Sequence, residues 1–437
     1  MDPMDWDAHA DTLARWREET TRYVDAINAF VEKGTREGWE AAGPEPEDGR
    51  DEALGRAVVD VVREANRAGA WRELRQRVPT AHRPLIPLLE ERSLGMGSVC
   101  WLDDARVAAT SGSPWQERTT RVYDVEGGAR ELEGVLFVAR SPRRELFALV
   151  RPTRLTLHRD VDGPALLELP LPRGDEGLEG FEAPDGSQVL DAAPLPDGSG
   201  ALVTTSAGVF LCRPGEVRRL FPTRAELAAR REDAGGDDAH LHLDMLHAAL
   251  SPDGALVACG SQDSSHLLLD LQGEVRASFG PIHSEYPHHA AFSPDGAFAL
   301  FNSCHFYNGV TVGGAVDELL GLDLDAWEED PRLVVVDAGA RVYASAFLDG
   351  AFLLGDAGGY VNARTIGGEA VGRHFVGSSV GGLDVSPDGG FLAVATYAGF
   401  LSLIALGAGR GPHQIGTLPH REVLRFVQWR GESLWRW

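Results

Sequence analysis

A Ser-Pro-Asp-Gly turn that keeps returning, a composition rich in turn formers and a helical period confined to the N-terminus together predict a mainly β protein. The expected architecture is a β-propeller of seven to eight four-stranded blades with an N-terminal α-helical hairpin. The division falls between residues 83 and 84, with the hairpin over 1–83 and the propeller over 84–437, and it carries the expectation that the propeller folds without the helices. The 51 glycines and 25 prolines among 437 residues suit many short strands joined by turns. With 43% hydrophobic and 24% charged residues, the chain can bury a large core and is not a disordered polymer.

The helical part is read from spacing. Leu13, Trp16, Tyr23, Val24, Ile27, Phe30 and Val31 recur at three- and four-residue steps and fall on one face. A Gly/Pro-rich run, Gly43 to Gly49, interrupts that period. A second amphipathic segment passes through Leu54, Val58, Val61, Val62, Ala65, Trp71 and Leu74. The stripe around Trp16, Tyr23 and Phe30 needs cover, either from the propeller or from a second subunit, so self-association through these helices is one expectation.

The propeller is read from its turns. Ser251-Pro252-Asp253-Gly254, Ser293-Pro294-Asp295-Gly296 and Ser386-Pro387-Asp388-Gly389 are each flanked by short apolar runs. Pro presets φ and Asp-Gly supplies the reversal, which makes each a hairpin turn. Looser copies stand at Pro196-Asp197-Gly198 and Leu348-Asp349-Gly350, with degenerate ones near Asp103, Arg143 and Arg430. The eight markers Asp103, Arg143, Asp197, Asp253, Asp295, Asp349, Asp388 and Arg430 are separated by 40, 54, 56, 42, 54, 39 and 42 residues. Spacing of about 40–45 residues with four strands per unit is a propeller signature. A strict count gives eight blades, while the commoner ring has seven. Because the last copy runs out at Trp437, Pro84 to Glu90 is expected to supply an outer strand that closes the ring.

Through these hairpins residues 85–437 resemble the WD-repeat-like β-propellers of bacteria. No Trp-Asp dipeptide closes a repeat and no Gly-His opens one, so the resemblance is one of architecture. It implies a rigid platform for protein or peptide binding; a minority of such propellers are hydrolases or lyases.

Charge narrows the partners. Forty-one basic against 66 acidic residues leave a net charge of −25, which repels nucleic acid and anionic lipid. Residues 1–95 carry 14 basic and 20 acidic side chains, net −6, leaving 27 and 46, net −19, for the remainder. The acidic start, Met1 to Asp7, lacks an apolar core, and no run of 18 uncharged apolar residues occurs. A cytoplasmic protein with a protein partner, and with neither nucleic acid nor membrane as a partner, is expected. Cys100, Cys212, Cys259 and Cys304 form no Cys-x-x-Cys pair and read as buried thiols.

Histidine marks the candidate site. Eight of the 14, namely His240, His242, His247, His266, His283, His288, His289 and His305, lie within the 66 residues 240–305. Connections between blades and hairpins between second and third strands share one face of a propeller. All eight therefore gather in one sector of that face, with Asp244, Asp263, Glu285, Tyr286 and Cys304. The tentative partner-binding set is His242, His247, Asp263, His266, His283, Glu285, His288 and His305. Two insertions are placed on the same face. One is Thr223 to Asp238, where Thr223-Arg224-Ala225-Glu226 fits a capping box and predicts a short helix. The other is Asn302 to Pro331, taken as a long second-to-third-strand loop.

The favoured reading is a non-enzymatic binding or scaffold protein that needs no cofactor. The first alternative is a metal-dependent hydrolase or lyase, in which His240 and His242, two apart on a strand, would help hold an ion such as zinc. The second is a sensor or regulatory module of a multiprotein system. Gly377-Ser378-Ser379-Val380-Gly381 fits a nucleophile elbow by spelling only, because a strand and not a helix follows it. The Asp of each Ser-Pro-Asp-Gly turn is assigned to the turn itself.

Overall fold

The computed structural model describes residues 3–82, 84–89, 92–172, 188–233 and 243–437. Seven sheets, antiparallel except for one short parallel pair, form a seven-bladed β-propeller. The blades span residues 96–131, 137–170, 189–221, 247–279, 286–338, 342–375 and 380–436. Within each blade the strands pair in chain order, innermost first.

The recurrent turn joins first and second strands, and its chemistry repeats from blade to blade. The Ser251 hydroxyl donates to Asp253 at 2.6 Å and accepts from the backbone N–H groups of Ala255 and Leu256. Ser386 and Asp388 make the same bond at 2.6 Å. The aspartates are thus turn caps, as expected. Gly254 has φ +74°, and a Cβ there would lie 2.8 Å from Pro196 in the neighbouring blade's turn. Gly254→Ala is therefore expected to cost about 1–2 kcal/mol from the left-handed backbone alone. Denaturant unfolding checks this; an unchanged midpoint would contradict the stacked-turn geometry.

The strict count of eight fails at its last marker. Arg430 and Gly431 do not begin a blade; their turn leads to Trp435–Arg436, a short fifth strand on the outside of blade seven. The expected closing strand fails too, because Leu85–Leu89 is a helix. Pro84 and Pro87 fall before and within its first turn, where a missing N–H costs nothing. Pairing between the two ends of the propeller shrinks to a bridge between Ser93 and Trp429, with Arg430 donating to the Arg92 carbonyl. What closes the ring is packing. An apolar cluster fills each gap between neighbouring blades, and the gap between blades seven and one holds Trp101, Val107, Leu401 and Phe426.

The helices Ala10–Glu37, Glu52–Arg67 and Trp71–Arg77 lie against the outer edge of blade seven. Their apolar stripe is covered within the same chain. Trp16, Leu54, Val58, Val62 and Leu74 share one cluster with Phe400, Trp429, Trp435 and Trp437. Polar contacts seam the junction. Asn66 accepts from the Arg436 N–H at 2.8 Å, and Trp437 Nε1 donates to the Val78 carbonyl at 2.9 Å. Trp429, Trp435 and Trp437 thus pack the helices onto blade seven.

Candidate functional site

The connections entering first strands and the hairpins between second and third strands share one face, and this face carries the histidines of blades four and five. His242 and His240 lie outside the described residues. The others divide into two groups.

His266, His288 and His289 are braces between blades, and His247 packs beside His266 with a local hydrogen bond only. His266 is fully buried, and its Nε2 is hydrogen-bonded to Ser303 of the next blade at 2.8 Å. The His247 Nδ1–H donates to the Met245 carbonyl at 2.8 Å. His289 Nε2 is bonded to Ser345 of blade six at 2.8 Å. The protonation of His288 follows from its partners. Arg341 Nη2 donates to Nε2 at 2.9 Å, so Nε2 carries no proton and the Nδ1–H donates to the Val342 carbonyl at 2.7 Å. Burial lowers these rings, His247 to about 4 and His288 and His289 to about 3, with the Arg341 charge adding to the effect at His288. At neutral pH they are uncharged.

The remaining residues stand in solvent. The His305 Nδ1–H donates to Glu285 at 2.8 Å, and its ring stacks on Tyr286 at 6.3 Å between centroids. His283 approaches Glu329 at 3.4 Å. Asp263 is exposed, and its backbone carbonyl accepts from Arg230 of the helix Arg224–Asp233. That helix opens on the expected capping box, the Thr223 N–H donating to Glu226 and the Glu226 N–H to the Thr223 hydroxyl. Among the described residues no three His, Cys, Asp or Glu side chains are grouped to hold a metal ion. The zinc expectation rested on His240 and His242, outside those residues.

The second insertion is placed differently from the expectation. The Asn302 to Pro331 stretch is not a long second-to-third-strand loop, because Phe298–His305 and Asn308–Ala315 form a tight hairpin whose two-residue tip is Phe306-Tyr307. The extra chain, residues 316–333, separates the third and fourth strands. It wraps blade four, where Asp323–Leu324 pairs in parallel with the blade's last strand. This brings Trp327 to the histidine face, its N–H donating to the Pro281 carbonyl.

The aromatic groups of this rim were missed in the sequence. Phe306 and Tyr307 are 74% and 73% exposed, and Trp327 is 59% exposed. Arg341 holds the tip through the backbone, its N–H donating to the Tyr307 carbonyl at 3.0 Å. The same guanidinium lies over Tyr343, and Tyr343 meets Tyr397 of blade seven edge-on at 5.5 Å. Seven non-glycine residues have positive φ among the described residues, and four of them stand on this rim: Met245, His283, Phe306 and Trp327. For bulky side chains that conformation costs about 1–2 kcal/mol each, and such strain gathers at functional sites.

Ser379, in the elbow-like spelling, donates to the Ala357 carbonyl at 2.8 Å and leads into the strand Val380–Val385. No helix of the described residues is long and apolar enough to cross a membrane. No protein-family model and no curated protein matches the chain. The class of the molecule therefore rests on its fold: a seven-bladed β-propeller, an architecture commonly used for protein interaction.

Proposed function

We propose that this propeller is a non-enzymatic binding platform that docks a protein partner on the rim of blades four to six. The observation that carries the reading is the Phe306-Tyr307 tip. A two-residue hairpin turn favours Asn-Gly, yet here two aromatic rings occupy it, Phe306 in left-handed backbone and both left in solvent. Exposed aromatic anchors on a rigid base are what a binding hot spot requires. The neutral histidine braces and Arg341 provide that base.

Glu285 is hydrogen-bonded to His305, next to Phe306, Glu329 approaches His283, and the whole chain carries −25. A basic segment is the complementary partner, while nucleic acid is repelled. A cytoplasmic setting is part of the reading. It is supported by four cysteines, all free and buried.

The test is a substitution that improves the turn while removing the anchors. Phe306→Asn with Tyr307→Gly is expected to leave the melting temperature unchanged or raised. It should weaken the partner, once captured and purified, by about 100-fold or more. Undiminished binding by this variant would contradict the proposal.

A further inference from the structure

Away from that rim, a cavity of about 370 Å³ lies where the helices meet the outer strands of blades six and seven. This is the size of a small-molecule site. Its polarity is inverted relative to the chain. Arg50, Arg75, Arg421 and Arg425 line it against Glu45 and Glu422 alone, in a protein whose acidic residues outnumber its basic ones by 66 to 41. Arg50 is matched by Asp48 in a two-point contact at 2.8 and 2.6 Å. Arg75 and Arg425 share the one carboxylate of Glu422, at 3.0 and 2.8 Å. Glu422 is saturated, because it also accepts from Thr80 and Ser402. Arg75 donates further to the Trp437 carbonyl, and Arg425 to that of Ala81.

Two imidazoles beside these guanidiniums each have one buried nitrogen with no partner. Arg425 Nη2 donates to His82 Nε2 at 3.3 Å, which leaves the proton of that ring on Nδ1. This N–H is buried without an acceptor. His374, only 4% exposed, also has a buried Nδ1 with no partner. Both rings line the cavity. The opposite wall is apolar, formed by Tyr23, Ile27, Phe375 and Ile415.

We infer that this junction binds a small organic acid, its carboxylate received by the arginine side of the cavity and its hydrocarbon body by the apolar wall. Such a ligand touches the first helix, the segment before the propeller and two blades at once. Its binding energy adds directly to the hold of the helices on the ring.

The test is a thermal-shift and calorimetric titration of the full chain with hexanoate, benzoate, hexan-1-ol and hexylammonium. A saturable rise in melting temperature with at least one of the two acids is expected, with the alcohol binding at least about tenfold more weakly and the ammonium giving no rise. No saturable response to either acid, or an equal response to the alcohol, would overturn the inference.

Discussion

Trp16→Ala is expected to cost about 3–5 kcal/mol, the range for emptying a buried tryptophan site. The side chain is fully buried among Leu54, Val58, Leu74 and the blade-seven tryptophans, and its Nε1 donates to the Pro79 carbonyl at 2.9 Å. Set against a net stability of about 5–15 kcal/mol for a folded domain, that loss is large. Deleting residues 1–83 goes further. It bares Phe400, Trp429, Trp435 and Trp437 together, and it leaves Arg425 and Glu422 without Ala81, Thr80 and Arg75. We expect insoluble protein from that deletion and a single cooperative melt for the full chain. Two separate transitions, or a soluble and folded propeller over 84–437, would show that helices and ring do not share a core.

The second large effect is loss of stability in mild acid. Burial holds His247 and His374 at about 4 and His288 and His289 at about 3, and it takes His82 and His266 well below 6.5. In the unfolded chain each titrates near pH 6.5. A folded pKa below the unfolded one means that the unfolded state binds more protons throughout that window. The stabilising contribution is therefore whole above pH 6.5 and is lost as the pH falls toward the folded values. Each such group costs about 1.4 kcal/mol per pH unit inside the window. Six give a slope of about 4–8 kcal/mol per pH unit, the lower figure allowing for water at the half-buried rings. Asp191, pushed up to about 6 by burial, and Asp356, also raised by burial, act in the opposite sense, but they are two groups against six. Melting temperature is thus expected to fall steeply between pH 6.5 and 5, and His288→Asn with His289→Asn should flatten the fall. A melting temperature constant down to pH 5 would remove the neutral-brace account.

The turns and the helices were legible in the sequence because each rests on short-range chemistry. Ser251 and Asp253 cap their own hairpin, and Trp16 to Ile27 repeat on one helix face; neither needs knowledge of the rest of the chain. The errors came where distant contacts decide. Arg430-Gly431 has the spelling of a worn repeat, but its turn serves an edge strand that the helices cover. Pro84 to Leu89 is apolar enough for a strand, and its helix is fixed by docking, since Gly55 admits Pro84 and Leu88 against the second helix. The Asn308-Gly309 dipeptide is a strong hairpin signal, yet in the structure it opens the third strand and the turn falls on Phe306-Tyr307. The histidine sector was legible as a cluster. Its split into neutral braces and a solvent-facing rim was not, because Ser303, Ser345, Val342 and Arg341 come from neighbouring blades or blade connections.

The central claim is that the rim of blades four to six is the docking surface. Amide hydrogen exchange of the full chain, alone and with its purified partner, tests it most directly. The account predicts slowed exchange at residues 283–288, 304–309 and 325–329, with the turns at 196–198, 252–254 and 294–296 on the opposite face unchanged. Protection confined to those turns, with residues 304–309 exchanging as in the free protein, would contradict it.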